Sequence, residues 1–334
     1  MKVVITGGGG FIGGRLADAL VARGRLLGPS GQDEPIDELL LFDREHRPDA
    51  SREEKKGSLV VERVSGDIGD RETVYTLVDR PDISVFHLAS VVSGAGELDF
   101  DMAMHVNLDG GRHVLEALRR QPGQPRLVFA SSIAVFGGSA MPATVGDTTK
   151  QTPQTTYGVT KAILELLIND YSRKGFLDGR SARLPTVIVR PGKPNAAASS
   201  FVSGVFREPL NGEDMTLPVA AETAMPLLGY RAIVDGLIAL HQVAPERLGD
   251  DRAVGLPSLT VTVADMIAAL KRVAGARRLG EIAFAPDPFI ESICAGWAKD
   301  CSDERALALG LPKDGSLDEI VSYYIEDYLD GGSA

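Results

Sequence analysis

Lys2-Val3-Val4-Ile5-Thr6-Gly7-Gly8-Gly9-Gly10-Phe11-Ile12-Gly13 is the stretch from which the rest of the chain can be read. Residues 2–6 form a compact β-branched run, and from Phe11 to Arg23 apolar side chains recur at helical spacing. The four glycines therefore fall in the turn between a strand and a helix. Gly7, Gly10 and Gly13 stand there in a G-x-x-G-x-x-G array. Without Cβ atoms, the amides at the helix start can approach a pyrophosphate, and the helix dipole favours the anion.

Beyond this βα unit, a loop rich in Gly, Pro and acidic residues (28–37) leads to a second apolar run, 39–42, ended by Asp43. A carboxylate at that strand end can accept hydrogen bonds from both hydroxyls of an adenosine ribose and repels a 2′-phosphate, which favours NAD over NADP. The 28–37 loop accounts for the long separation of Gly13 and Asp43. Further buried-strand candidates are 59–64, 85–88, 126–130 and 186–189, alternating with helical patterns at 71–78, 102–120 and 157–174. Strands that are apolar throughout and alternate with helices predict an α/β, Rossmann-type, doubly wound parallel sheet. Residues 1–190 are expected to form this nucleotide-binding domain. Residues 191–334, where the rhythm breaks into Gly, Pro, Ala and Ser, are expected to form a smaller C-terminal substrate-binding cap. Its last helix opens with Ser316 and Glu319 at capping-box spacing, and 252–256 are expected to return to the sheet.

Composition agrees with a globular chain: 334 residues, 44% apolar and 24% charged. A chain of this length buries roughly three quarters of its unfolded surface and needs no disulfide or metal staple. Thirty-five Lys and Arg against 46 Asp and Glu give a net charge of −11, which disfavours nucleic acid and anionic membranes as partners. Cys294 and Cys301 match neither a zinc spacing nor a secreted disulfide framework, and no two histidines have the spacing of a metal pair, so no metal is expected. The N-terminus lacks the pattern of a cleavable leader and no window has the length of a membrane span; the expected compartment is the cytosol.

Tyr157 and Lys161 are four residues apart at the start of a helix, so phenol and ammonium share a face. A nearby ammonium stabilises phenolate over phenol and so suits a tyrosine to general-base work. Ser131 and Ser132 end the 126–130 strand, at the carboxyl edge where ligands of parallel sheets bind.

With these residues in place, the chain resembles the extended short-chain dehydrogenases/reductases, a family that includes nucleotide-sugar epimerases. The resemblance is carried by T-G-G-G-G-F-I-G (6–13), L-F-D (41–43), G-D-I (66–68), H-L-A (87–89), S-S-I-A-V-F-G (131–137), Y-G-V-T-K (157–161) and R-P-G (190–192). It covers about residues 1–192. It implies that Ser132, rather than Ser131, orients the reacting oxygen, that Tyr157 is the acid/base, and that Lys161 binds the nicotinamide ribose and tunes the tyrosine. Asn107 matches the family's helix asparagine, which helps hold active-site water or backbone. Phe11, Ile12, Asp67, Ile68, Ala89, Ser90, Pro191 and Gly192 complete the implied NAD contacts. A homodimer through the helices at 102–120 and 157–174 is also implied.

Residues 190–201, R-P-G-K-P-N-A-A-A-S-S-F, depart from the pattern of sugar-nucleotide members and resemble a branch that oxidises the four-carbon aldonic acid D-erythronate at C2. Position makes this the expected substrate segment. Lys193 and the start of a helix capped by Ser199 and Ser200 would form a local anion site, with Asn195 and the serine hydroxyls bonding substrate hydroxyls and Arg207 as a reserve cation. The alternative is a nucleotide-sugar 4-epimerase with tightly held NAD, against which the altered segment argues. A dehydratase lacks its Asp-Glu pair here, since Ile133 and Ala134 follow Ser132.

Overall fold

Val3, Val4 and Ile5 are almost completely buried, as a strand covered on both faces requires, and they form the centre of an eight-stranded sheet. The structure, a computed structural model, describes residues 1–46, 50–194 and 199–330. The strands of this sheet are β1 (Lys2–Thr6), β2 (Glu38–Asp43), β3 (Glu53–Lys56), β4 (Leu59–Ser65), β5 (Ile83–His87), β6 (Arg126–Ser132), β7 (Asp178–Leu184) and β8 (Ala253–Gly255). Their order is β8-β7-β6-β5-β1-β2-β4-β3. β1 pairs in parallel with both β2 and β5, placing Thr6 beside Phe42 on one side and His87 on the other. β4 and β6 continue the parallel pairing outward, and the edge strand β3 pairs antiparallel with β4. The run β4-β2-β1-β5-β6-β7 is the doubly wound order in which the chain reverses direction beside β1. The carboxyl ends of β1, β2, β5 and β6 therefore lie along one edge.

Helices α1 (Phe11–Arg23), α2 (Arg71–Leu77), α3 (Gly110–Arg119) and α4 (Thr156–Arg173) accompany this sheet. Val74 and Leu77 of α2, Val114, Leu115 and Leu118 of α3, and Leu164 and Ile168 of α4 pack with Val4, Leu40, Val85 and Phe129 in one core. Each such side chain contributes about 1.5–3 kcal/mol by leaving water.

The helical pattern at 102–120 resolves into three pieces: an α-turn at Phe100–Ala103, a π-helix at Met104–Asp109 and α3. The Gly110 amide reaches back five residues to the His105 carbonyl, which is the signature of the wider turn. β7 escapes the hydrophobic reading because it carries Asp178, Arg180, Ser181 and Arg183, yet all four are buried. Their charges are met locally. Arg126, Arg180 and Arg252 all pair with Asp178, and Arg180 Nη1 also donates to the carbonyls of Leu240, His241 and Val243 at the end of the helix Tyr230–Gln242.

The chain divides into two compact units that interleave rather than part at residue 190. The first comprises Met1–Ser132, Thr155–Arg183 and Val234–Val254; the second comprises Ile133–Gln154, Leu184–Ile233 and Gly255–Ala334. Thr186–Ile188, expected in the main sheet, instead pairs in parallel with Ala224–Gly229 in a three-stranded sheet completed by Leu259–Thr262. That sheet packs its apolar side chains with those of Ser200–Leu210, Val263–Val273 and Leu317–Tyr328. At Ser316 the hydroxyl accepts the Glu319 amide, while the Glu319 carboxylate reaches the amide of Gly315. No helix among the described residues is long and apolar enough to cross a membrane.

Candidate active site

The glycine turn is shaped by contacts that leave no room for side chains. Gly7 has φ +77°, and a Cβ there would lie 2.8 Å from the Ala89 nitrogen. A Cβ on Gly13 would lie 2.1 Å from the Gly7 carbonyl oxygen. Gly10 is the N-cap of α1 and brings no side chain to cap it, so no side chain of the cap residue stands between the helix start and an anion. Phe11 and Ile12 open that turn and are half-buried. Asp43, at the end of β2, takes the Gly9 amide on Oδ2 at 2.9 Å and the Arg44 amide on Oδ1 at 2.7 Å. The carboxylate is thus fixed beside the glycines with lone pairs remaining for a diol. A side-chain-free turn opening a helix and a fixed carboxylate fit the pyrophosphate and adenosine ribose of NAD.

The next strand ends tie to the turn. Thr6 Oγ1 meets His87 Nδ1 at 2.7 Å and accepts the Ala89 amide at 3.3 Å. The His87 ring stacks on Phe129, and burial together with the nearby Lys161 pushes its pKa down to about 3. Asn107 is buried within the π-helix and holds the segment after β5 on three bonds. Its Oδ1 accepts from the Val91 amide (2.7 Å) and Ser90 Oγ (3.1 Å), and its Nδ2 donates to the Val91 carbonyl (3.1 Å). Here the asparagine holds backbone, and the wider turn is what carries it. Asp67 takes the Gly69 amide and pairs with His105 at 2.9 Å, so the His105 hydrogen bond holds the Asp67 carboxyl below its usual range and raises the imidazole. Ile68 beside it is core.

Ser132, Tyr157 and Lys161 all belong to the first unit, on the end of β6 and the first turns of α4. Thr155 caps α4, its hydroxyl accepting the Gly158 amide at 3.1 Å, which fixes the turn that presents Tyr157. Burial pushes the Tyr157 phenol above its ordinary value, and a side-chain hydrogen bond with Ser132 pulls it back down. The Lys161 ammonium lies 5.3 Å from the centre of the Tyr157 ring and 4.6 Å from that of Phe129, and donates to the Ala130 carbonyl at 2.7 Å. Burial pushes Lys161 down to about 7, with Glu165 acting in the opposite direction. Burial outweighs the Ser132 hydrogen bond, so the net effect on the phenol is upward. Ser131 is buried and donates to Glu165 Oε1 at 2.5 Å.

The segment after Ile188 lies in the second unit. Pro191 is half-buried, Gly192 takes φ +78° and Lys193 is exposed. Ser199 is the N-cap of Ser200–Leu210, but its hydroxyl makes no capping bond, contrary to its expected role; Ser200 is the first helical residue. Arg207, the expected reserve cation, already has protein partners. It is buried, pairs with Glu208 at 2.5 Å and donates to the Arg190 carbonyl at 2.9 Å. Arg190 is half-buried, and its Nη1 donates to the Lys193 carbonyl. Burial and the neighbouring Arg207 push its pKa down. Asn195 and the alanines at 196–198 lie outside the described residues.

Residues that pattern reading missed are Thr6, Glu165 and Arg183, whose partners are distant in sequence; only the i,i+4 spacing of Lys161 and Glu165 hinted at one of them. Cys294 and Cys301 are free thiols, and burial pushes both up to about 12.

Comparison with known proteins agrees with this geometry. The chain is 48% identical to a D-erythronate dehydrogenase of Cupriavidus necator over 98% of each sequence. It is 40% identical to one from Haemophilus influenzae, covering 98% of this chain and 99% of that one. A crystal structure described as a nucleoside-diphosphate-sugar epimerase from Agrobacterium tumefaciens superposes with a TM-score of 0.90 at 40% identity, covering 100% of this chain and 95% of the other. Residues 3–250 match the NAD dependent epimerase/dehydratase family, and with a glycine turn, an acid after the second strand and a Ser-Tyr-Lys set to match, the chain belongs to that family.

Proposed function

We propose that the protein is an NAD-dependent dehydrogenase that oxidises the C2 hydroxyl of D-erythronate to give 2-dehydro-D-erythronate and NADH. The reading rests on one observation above the rest: Ser132, Tyr157 and Lys161 are gathered at the end of β6, in a chain 48% identical to a D-erythronate dehydrogenase over nearly its full length. Bound NAD supplies the acceptor for the hydride that leaves C2. Tyr157, as phenolate, takes the proton of the C2 hydroxyl while that oxygen becomes a carbonyl. The Ser132 hydroxyl donates a hydrogen bond to the same oxygen as its charge develops. Lys161 draws the phenol toward ionisation against the opposing effect of burial.

Gly7, Gly10, Phe11, Ile12, Gly13, Asp43, Asp67, Ile68, Ala89, Ser90, Asn107, Tyr157, Lys161, Pro191 and Gly192 would hold NAD. The carboxylate of the substrate is assigned to Lys193, with Asn195, Ser199 and Ser200 for its hydroxyls. Arg207, buried and paired with Glu208, stays a reserve cation for that carboxylate. The enzyme is read as cytosolic, in keeping with two free thiols. It is also read as a homodimer: Val159 and Leu166, seven residues apart on α4, and Leu98 and Phe100 near the 102–120 helix are exposed apolar side chains of the first unit. A monomer in sedimentation at micromolar concentration would overturn the dimer.

A second reading, a nucleotide-sugar 4-epimerase, is favoured by the description of the Agrobacterium structure. Incubation with four-carbon aldonates, UDP-glucose and UDP-galactose, each with NAD or NADP, separates the two. NADH formation from D-erythronate with NAD supports the dehydrogenase. Interconversion of the UDP-sugars with no aldonate turnover supports the epimerase.

A further inference from the structure

Behind Ser132, Tyr157 and Lys161 lies a buried carboxylate that the reaction just described does not use. Glu165 follows Lys161 by four residues on α4 and is 1% exposed. A carboxylate so placed requires a partner, because burial of an unpaired charge is costly. Arg183 of β7 supplies it: its Nε lies 3.1 and 3.2 Å from the two carboxylate oxygens and its Nη2 2.8 Å from Oε2. Oε1 also accepts from the Ser131 hydroxyl at 2.5 Å. Lys161, one turn earlier, donates to the carbonyl of Ala130 at 2.7 Å. Helix α4 thus grips two consecutive residues of β6, Ala130 through Lys161 and Ser131 through Glu165. Ser132 is the next residue and the last of β6, so fixing Ser131 on α4 fixes the backbone from which Ser132 reaches Tyr157 of the same helix.

We infer that Glu165, paired with Arg183, is a positioning residue for the dehydrogenation, anchoring Ser131 so that the neighbouring Ser132 is held in register with the Tyr157 and Lys161 that share the helix with Glu165. The inference rests on the catalytic reading of that trio. It has an electrostatic side. The titratable and charged groups around Lys161 are Tyr157 and Glu165 on its own helix and His87 on β5, with Arg183 of β7 bound to Glu165. Among them the Glu165 carboxylate opposes the effect of burial on Lys161.

Two variants test the two halves. Ser131→Ala removes one hydroxyl and no charge. It should lower kcat for D-erythronate about tenfold, within the roughly hundredfold loss that a 1 Å misplacement of a reacting group produces, while KM for NAD and the melting temperature stay near wild type. Glu165→Gln keeps the shape and removes the charge. In protein labelled with ¹³C at the lysine Cε, the resonance that disappears in Lys161→Met should titrate about one pH unit lower in Glu165→Gln. It should return toward its original midpoint in Glu165→Gln/Arg183→Met, which removes both charges. Wild-type kcat in Ser131→Ala would overturn the positioning role, and an unmoved Lys161 midpoint in Glu165→Gln would overturn the electrostatic one. The NMR titration uses the ligand-free protein, so it decides its half even if no aldonate is turned over, an outcome that would count against the function and not against this network.

Discussion

Replacing Gly13 with alanine should disable cofactor binding through a single methyl group. The added Cβ would lie 2.1 Å from the Gly7 carbonyl oxygen and 2.9 Å from both the Gly7 carbonyl carbon and the Gly8 Cα, whereas real Cβ atoms essentially never approach within 3.0 Å. Helix and turn must therefore separate by about 0.9 Å, and the obstacle is backbone on both sides. The Gly7 carbonyl also accepts the Gly10 amide at 3.1 Å, so its displacement disturbs the turn itself. On its other flank Gly7 is packed closely against Ala89. Overpacking of this kind costs about 1–3 kcal/mol. If only about 1.4 kcal/mol of this falls on the cofactor-binding geometry, affinity drops tenfold. Gly14→Ala is the matched control, because a Cβ there meets nothing within 4 Å, and alanine within a helix gains about 0.5–1 kcal/mol over glycine. NADH binding followed by fluorescence, with thermal melting alongside, should show Gly13→Ala at least tenfold weaker and less stable, and Gly14→Ala unchanged in affinity and slightly more stable. Wild-type affinity in Gly13→Ala would refute the reasoning, since it would mean that the turn yields without cost.

Three further outcomes are expected. Asp43→Ala removes the carboxylate fixed by the Gly9 and Arg44 amides; the ratio of NAD to NADP efficiency (kcat/KM) should fall at least about tenfold, and an unchanged ratio would remove Asp43 from the ribose site. Lys193→Met should raise KM for D-erythronate with little change in KM for NAD; an unchanged aldonate KM would remove Lys193 from the carboxylate site. His87 is held neutral in the fold with its pKa near 3, while in the unfolded chain it ionises near 6.5. The unfolded state therefore binds more protons between these values, and stability is lost as pH falls through 6.5. Urea unfolding should show about 1 kcal/mol lost from this group between pH 7 and 5.5, and the pH slope should be reduced in His87→Gln; identical slopes would show that His87 does not carry the effect.

Much of the fold was legible because its central strands are apolar on both faces and its first turn is written in glycine. β1 and α1 fall where periodicity puts them, and β2, β4 and β6 within a residue or two. β7 was illegible because its pairing is ionic: Arg180 and Arg183 read as surface residues until Asp178 and Glu165 are placed beside them. The π-helix was illegible for a different reason, since one widened turn leaves the apolar rhythm of 102–120 almost intact. In the site, local motifs brought Ser132, Tyr157 and Lys161 forward, while Glu165 stayed hidden because its partners come from two other strands. Arg207, read as a reserve cation, shows the converse: the adjacent Glu208 that pairs with it carries no signal in the sequence pattern.

The central claim is that hydride leaves C2 of D-erythronate while Tyr157 takes the proton from the oxygen on that carbon. D-Erythronate deuterated at C2, incubated with NAD and the wild-type protein, tests it directly. The account predicts that the reduced cofactor carries the deuterium, that the reaction is slower than with unlabelled substrate wherever hydride transfer limits the rate, and that Tyr157→Phe binds NADH but forms none. Reduced cofactor free of deuterium, or undiminished turnover in Tyr157→Phe, would contradict it.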